Sequence, residues 1–181
     1  LLNWARALIL VGFYSISSSH IWSRNIEIAR SGIVLGLAGL PLAMVLANPR
    51  QSWAAAQSLK NVTLNTDGRM AVQAALTVPK QTPATAVKLV HERSDLNDQI
   101  KSMAAELAKQ GYLPLAIDLY RGKATADPGQ ARKLMGGVDS AATTDTIGSW
   151  LRWLKRHDMV NGKAATIGWC FGGGWSLNAS L

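Results

Sequence analysis

The stretch Ala164-Ala165-Thr166-Ile167-Gly168-Trp169-Cys170-Phe171-Gly172-Gly173-Gly174 decides how the fold is read. Ala164 to Gly168 reads as a strand and Phe171 onward as a helix. Between them stands G-x-C-x-G, which is the G-x-S-x-G pattern with sulfur in place of oxygen. The requirement behind that spacing is steric. A nucleophile lifted on a sharp strand-to-helix turn leaves no room for side chains two residues before and two after it, so Gly168 and Gly172 are needed, with Gly173 beside them. The turn presents the Cys170 thiol at a helix N-terminus, where the dipole favours a thiolate. It also aims the N–H of Phe171 at the place where an oxyanion would form. A glycine-rich turn around an inert, buried cysteine is the alternative. A phosphate loop is excluded, since no Lys follows Gly173 or Gly174.

Working toward the N-terminus, the chain alternates strands with helices. Residues 60 to 78 read as a β-hairpin, with Asp67-Gly68 as a tight turn that tolerates positive φ. Ala86 to Val90 reads as a buried strand that carries one polar residue, Lys88, and ends at His91-Glu92. Asn97 caps a helix that runs to Gln110 and stops at Gly111. Leu113 to Ile117 is the next strand and ends at Asp118-Leu119-Tyr120. A short helix covers Gln130 to Met135, and a longer one runs from about Ser140 to His157, with Ile147, Trp150, Leu151 and Leu154 on one face. Gly162 turns the chain into the strand of the elbow. The pattern predicts α/β architecture: an N-terminal β-hairpin, then parallel βαβ units. Functional residues belong at the carboxyl ends of such strands.

Three separated motifs, in order, carry a family resemblance. Gly168-Trp169-Cys170-Phe171-Gly172-Gly173-Gly174-Trp175-Ser176 resembles the cysteine elbow of the dienelactone hydrolase family, within the α/β-hydrolase superfamily. Val90-His91-Glu92 with Leu96-Asn97 is similar to its H-E-x-x-G-L-N segment, and Gln110-Gly111-Tyr112 through Asp118-Leu119-Tyr120 to its G-Y-x-x-x-x-P-D-L-Y stretch. The resemblance covers about residues 60 to 181. It implies a hydrolase of ester or lactone bonds that needs no cofactor and acts on a small molecule. Cys170 would be the nucleophile. Glu92 would help to generate the thiolate, the N–H groups of Phe171 and Arg93 would form the oxyanion hole, and Arg121 would meet a substrate carboxylate. A solvated carboxylate at Glu92 and a surface arginine at Arg121 are the alternatives. Asp95 stands where the family has Gly, so the loop that carries Arg93 is open to a different path. Ile117 stands where Pro is usual.

His91 precedes the elbow, whereas this fold places its catalytic His last, so His91 reads as structural. His157 complements a helix C-terminus, and Asp118 orders its loop. The family also needs an Asp and then a His after the elbow. Eleven residues follow Cys170, and none is Asp, Glu or His. The domain is therefore read as partial, with the elbow strand at an open edge, and the 181-residue chain is expected to be inactive and poorly folded. A cysteine or serine-like esterase or peptidase of other specificity, and a non-catalytic binding protein that keeps the fold, are the rival readings.

Residues 1 to 56 read as a leader and 57 to 181 as the hydrolase domain. Trp4 to Ile16 and Gly32 to Ala47 are apolar, Arg24 and Arg30 precede the second stretch, and Ala54-Ala55-Ala56 offers an A-x-A exit. These features favour a Sec-type signal, and hence a periplasmic or secreted protein. An uncleaved anchor and spurious upstream translation are the alternatives, and membrane contact follows only from the former. Without a genuine leader the protein would be cytoplasmic. His20 lies in this segment.

Composition narrows the function classes. Hydrophobic residues make up 48% and charged residues 17%, a globular balance. The net charge is +8, but the 19 Lys and Arg are scattered without a basic run, which argues against a nucleic-acid groove. One cysteine permits no intrachain disulfide, and zinc-ligand spacings are absent.

Overall fold

Parallel neighbours in a sheet need crossover connections, and the chain provides helices of suitable length for them. The computed structural model describes Leu10–Ser15 and residues 49–178. In chain order the elements are β1 (Leu10–Ser15), α1 (Pro49–Ala56), β2 (Lys60–Asn65), β3 (Ala71–Leu76), β4 (Ala84–Val90), α2 (Asp98–Lys109), β5 (Leu113–Ile117), α3 (Pro128–Gly136), α4 (Ser140–Lys155), β6 (Val160–Gly168) and α5 (Phe171–Asn178). The sheet order is β1-β6-β4-β5-β3-β2. β4 pairs in parallel with β5 and β6, while β2, β3 and β1 pair antiparallel with their neighbours. This is the mixed α/β sheet expected from the sequence.

Alternation along the central strands sends side chains to two separate cores. Ala86, Val90, Leu113, Leu115, Ile117 and Ala164 meet Ile147, Trp150 and Leu154 of α4. Val87, Leu89, Ala116, Ala165 and Ile167 meet Ile100, Met103, Ala104 and Leu107 of α2. Both faces of the central strands are thus covered, which is why they read as apolar runs. Lys88 is the exception. It lies 2% exposed between Leu115 and Thr166 in the register, and burial lowers its pKa to about 8.

Helix boundaries follow their caps. Asn97 accepts from the N–H of Ile100 at 3.1 Å and opens α2, and Gly111 follows the helix at φ +89°. Asp127 and Asp139 cap α3 and α4 in the same way, at 2.7 and 2.6 Å.

Three local readings are corrected. In the β2–β3 turn the left-handed residue is Arg69, at φ +60°, and not Gly68. The Asp145 carboxylate reaches the turn from α4 and accepts from Gly68 N–H at 3.0 Å; a Cβ on Gly68 would lie 2.9 Å from that oxygen. Gly162 does not turn the chain into β6. It lies inside that strand at φ +80°, where the register with β4 slips between Ala84 and Ala86, so it forms a bulge. Finally, β6 is no open edge. Leu10–Ser15, read from composition as part of a leader, pairs antiparallel with it from Gly168 to Lys163, because an apolar run satisfies a strand edge as readily as a leader core.

The Ala54–Ala56 exit lies in α1, which packs on α2 with Ala56 buried and Ser52 Oγ 3.5 Å from Ser102 Oγ. The apolar stretch 32–47 and His20 lie outside the described residues. Among those described, no helix is long and apolar enough to cross a membrane.

Candidate active site

Register brings the three predicted strand ends level. Val90 lies beside Ile117 on one side and Gly168 on the other. The chain therefore leaves the sheet at the same height at His91-Glu92, Asp118-Leu119 and Trp169-Cys170, and these three loops surround one point on the carboxyl edge.

The elbow is a backbone device. Cys170 takes φ +51°, a region costly for a side-chain-bearing residue, and its side chain is exposed. Gly172 N–H bonds Trp169 O at 2.8 Å and Gly173 N–H bonds Cys170 O at 3.1 Å, which closes the turn. A Cβ at Gly168 would overlap the carbonyl of Gly172, and one at Gly172 would overlap the carbonyls of Val90 and His91. Both contacts are to backbone, so no side-chain rearrangement relieves them. Gly173 is buried in the first turn of α5. Phe171 holds the first position of α5, where a helix offers its N–H no intrahelical partner.

The contact of Gly172 with His91 O means that the loop carrying Glu92 leaves the sheet against the elbow. Glu92 is half-buried and Arg93 exposed. Asp95, which casts doubt on this loop in the sequence, adopts φ +148°, a glycine-type conformation, and is 8% exposed. Its carboxyl sits above the ordinary carboxylate range, first through burial and then through the Asp118 charge, while a hydrogen bond from the Thr125 amide opposes the shift.

His91 is fully buried. Its Nε2 accepts from Leu119 N–H at 3.0 Å, and Nδ1 lies 2.6 Å from Glu92 O. Those partners fix the neutral tautomer with the proton on Nδ1, and burial holds the ring below its usual pKa despite the Glu92 carbonyl and the Asp118 charge. Asp118 accepts from Tyr120 N–H at 2.7 Å and Gly122 N–H at 2.5 Å, and so shapes the loop after β5.

Sequence reasoning passed over Tyr120. Its ring packs 4.6 Å from His91 and 5.8 Å from Phe171, and its hydroxyl is buried. The D-L-Y motif was the available signal, but nothing in it says which way the ring turns. Arg121 goes elsewhere. At φ +56° its guanidinium lies on the Met70 sulfur. It lines a cleft of about 230 Å³ with Lys123, Leu134, Val138 and Thr143, and Cys170 is not in the lining. The structure thus gathers Cys170, Phe171, Glu92, His91 and Tyr120 at one edge and leaves Arg121 outside that group. No cluster of three or more His, Cys, Asp or Glu suited to a metal occurs among the described residues.

The dienelactone hydrolase family model matches residues 72–180, more than half of the chain. The chain belongs to the dienelactone hydrolase family. Among curated dienelactone hydrolase relatives, a probable 2-oxo-3-(5-oxofuran-2-ylidene)propanoate lactonase from Bradyrhizobium sp is 28% identical over 125 residues, which is 66% of this chain and 49% of that protein. Among solved structures, a protein called m3DLH is 31% identical with a TM-score of 0.58. A dienelactone hydrolase-like promiscuous phosphotriesterase from metagenomic libraries is 26% identical with a TM-score of 0.57. Each match spans 67% of this chain and 54% of the relative. The chain thus spans about half the length of the relatives it matches.

Proposed function

We propose that the whole protein hydrolyses ester or lactone bonds of small molecules with Cys170 as nucleophile. The observation that carries this reading is the left-handed Cys170, exposed at the head of α5 on a turn whose flanking glycines touch backbone, in a member of the dienelactone hydrolase family. A strained conformation is kept where the surrounding structure over-determines it and function uses it.

The thiolate attacks the carbonyl carbon, and the negative charge that develops on the carbonyl oxygen meets the N–H groups of Phe171 and Arg93. Collapse expels the alkoxide or enolate oxygen and leaves a thioester on Cys170. Water then releases the acid and restores the thiol. Glu92 acts on the thiol proton. The Asp and His that assist leaving-group protonation and water attack are proposed to lie in the part of the family's length that the chain does not span. A role for Arg121 with a substrate carboxylate requires its guanidinium to leave Met70.

The test is acylation of the whole protein by an aryl acetate, read by intact mass and peptide mapping. An acetyl group on Cys170, absent from C170A, is the expected result. A Cys170 that takes neither acetyl nor iodoacetamide at neutral pH would sink the reading and favour a non-catalytic binding protein.

A further inference from the structure

The peptide that joins Cys170 to Phe171 has its carbonyl oxygen committed, since Cys170 O accepts the N–H of Gly173 at 3.1 Å. In a trans peptide the N–H points opposite to the carbonyl, so the Phe171 amide is directed away from the body of α5. That bond sets the direction of the amide. Its place depends also on what the Phe171 side chain rests upon.

Phe171 rests on rings drawn from the other two loops of the carboxyl edge. Its centroid lies 5.8 Å from Tyr120 and 6.3 Å from His91, and Tyr120 meets His91 edge-on at 4.6 Å. The three rings form a closed triangle, and Trp175, in the next turn of α5, adds an edge-to-face contact with Phe171 at 6.4 Å. These separations lie in the range where aromatic rings attract one another. Two corners of the triangle are anchored. Main-chain groups hold both nitrogens of His91. Tyr120 is 5% exposed, and its N–H donates to Asp118 Oδ1 at 2.7 Å. The third corner, Phe171, carries the amide next to the thiol. The Tyr120 hydroxyl, by contrast, has no hydrogen-bond partner among the described residues. The contacts made at position 120 are those of the ring.

We infer that Tyr120 is a positioning residue whose ring, packed on Phe171, holds the Phe171 amide where the carbonyl oxygen of a bound ester gains its charge. The inference rests on the reading of Cys170 as nucleophile and of that amide as an oxyanion donor. It concerns the oxyanion and not the making of the thiolate, and two reactions of the same sulfur tell these apart. Acylation passes through a tetrahedral intermediate with an oxyanion. Alkylation by iodoacetamide displaces iodide from a saturated carbon and forms none.

The test measures both rates at Cys170 in the whole protein, with circular dichroism as a check on folding. In the first, the thiolate attacks p-nitrophenyl acetate, p-nitrophenolate leaves, and the acetyl group stays on sulfur as a thioester; the first turnover is followed. In the second, iodoacetamide alkylates the thiolate. Outright loss of an oxyanion donor costs roughly a hundredfold or more, so Y120L, which only loosens one, is expected to slow acylation about tenfold and leave alkylation within about twofold. Y120F keeps the ring and should match the wild type in both. In an F171L background Y120L should add little further loss, because the two changes break one contact. Equal slowing of both reactions in Y120L would mean a general loss of structure and would overturn the inference while leaving the nucleophile intact. So would an unchanged acylation rate, a full further loss in the F171L background, or a Y120F as slow as Y120L. A wild-type Cys170 that reacts with neither reagent would overturn the nucleophile reading and this one with it. If Y120L fails to fold, F171L, at a half-buried position, breaks the same contact from the other side. It must then show the same split between the two rates, and an F171L without that split overturns the inference.

Discussion

His91 Nε2 accepts the N–H of Leu119 at 3.0 Å, so a single imidazole ties the loop after β4 to the loop after β5. Its other nitrogen, 2.6 Å from Glu92 O, holds its own loop at the same time. The ring has no exposed surface, and replacement by Ala would leave a cavity and unpaired backbone groups. H91A is expected to lose about 3 kcal/mol of stability, read as the urea midpoint. The pH dependence has a definite sign. The folded-state pKa lies below the unfolded one, so the unfolded chain binds the proton first. Stability is full above about pH 6.5 and falls as the pH drops through it. H91A should lack that part of the slope.

Gly172 offers a sharper test of the elbow. A Cβ there would meet two backbone carbonyls, those of Val90 and His91. Since β4 is held on both sides by parallel strands, neither carbonyl can retreat without breaking pairing. G172A is expected to cost roughly 3 kcal/mol or more in chemical denaturation. G174A, with nothing within 4 Å of its Cβ position, should be neutral or stabilising.

Lys88 is a buried cation for which no ion pair is found among the described residues. Its pKa falls from 10.5 to about 8 on folding. Below pH 8 both states carry the charge and the whole penalty of burying it, about 3 kcal/mol, is present. Between about pH 8 and 10.5 the folded state sheds the proton first and stability rises. K88M should therefore stabilise the protein by a few kcal/mol at pH 7, with the gain fading toward pH 10.5. Thermal unfolding of both proteins across that range checks it.

The β2–β3 turn is held from a distance. Asp145 accepts from Gly68 N–H, its carboxyl lies below the ordinary range chiefly through the Thr66 hydroxyl and then the Gly68 amide, and Arg152 bridges to Asp67 at 2.7 Å. D145A should speed amide hydrogen exchange at Gly68 several-fold and leave α2 unaffected. A depressed carboxyl pKa contributes stability above its unfolded value, so the same protection should weaken in the wild type as the pH falls through about 4.

What could be read from the sequence was local. Asn97 and Gly111 bracket α2, Leu113 to Ile117 is β5 to the residue, and the spacing of Gly168, Cys170 and Gly172 is the elbow itself. The unread parts depend on distant partners. Arg69 takes the left-handed position because Asp145, 77 residues from Gly68, claims the turn's amide. His91 reads as structural from its place ahead of the elbow, but only folding shows that main-chain groups hold both its nitrogens. Tyr120 stands in the D-L-Y motif, but only folding lays its ring against Phe171 at the elbow. The pairing of Leu10–Ser15 with β6 is likewise invisible to composition, since the same apolar letters serve a leader and an edge strand.

The meeting of Gly172 with the carbonyls of Val90 and His91 separates chemistry from scaffold. Cys170 and Glu92 hang from two stretches of main chain that rest on each other, so the frame that carries them owes nothing to the element at position 170. Sulfur could give way to oxygen there, and specificity could drift in the surrounding loops, while the frame beneath kept its dimensions. A change of backbone at either stretch would be felt at once by the other.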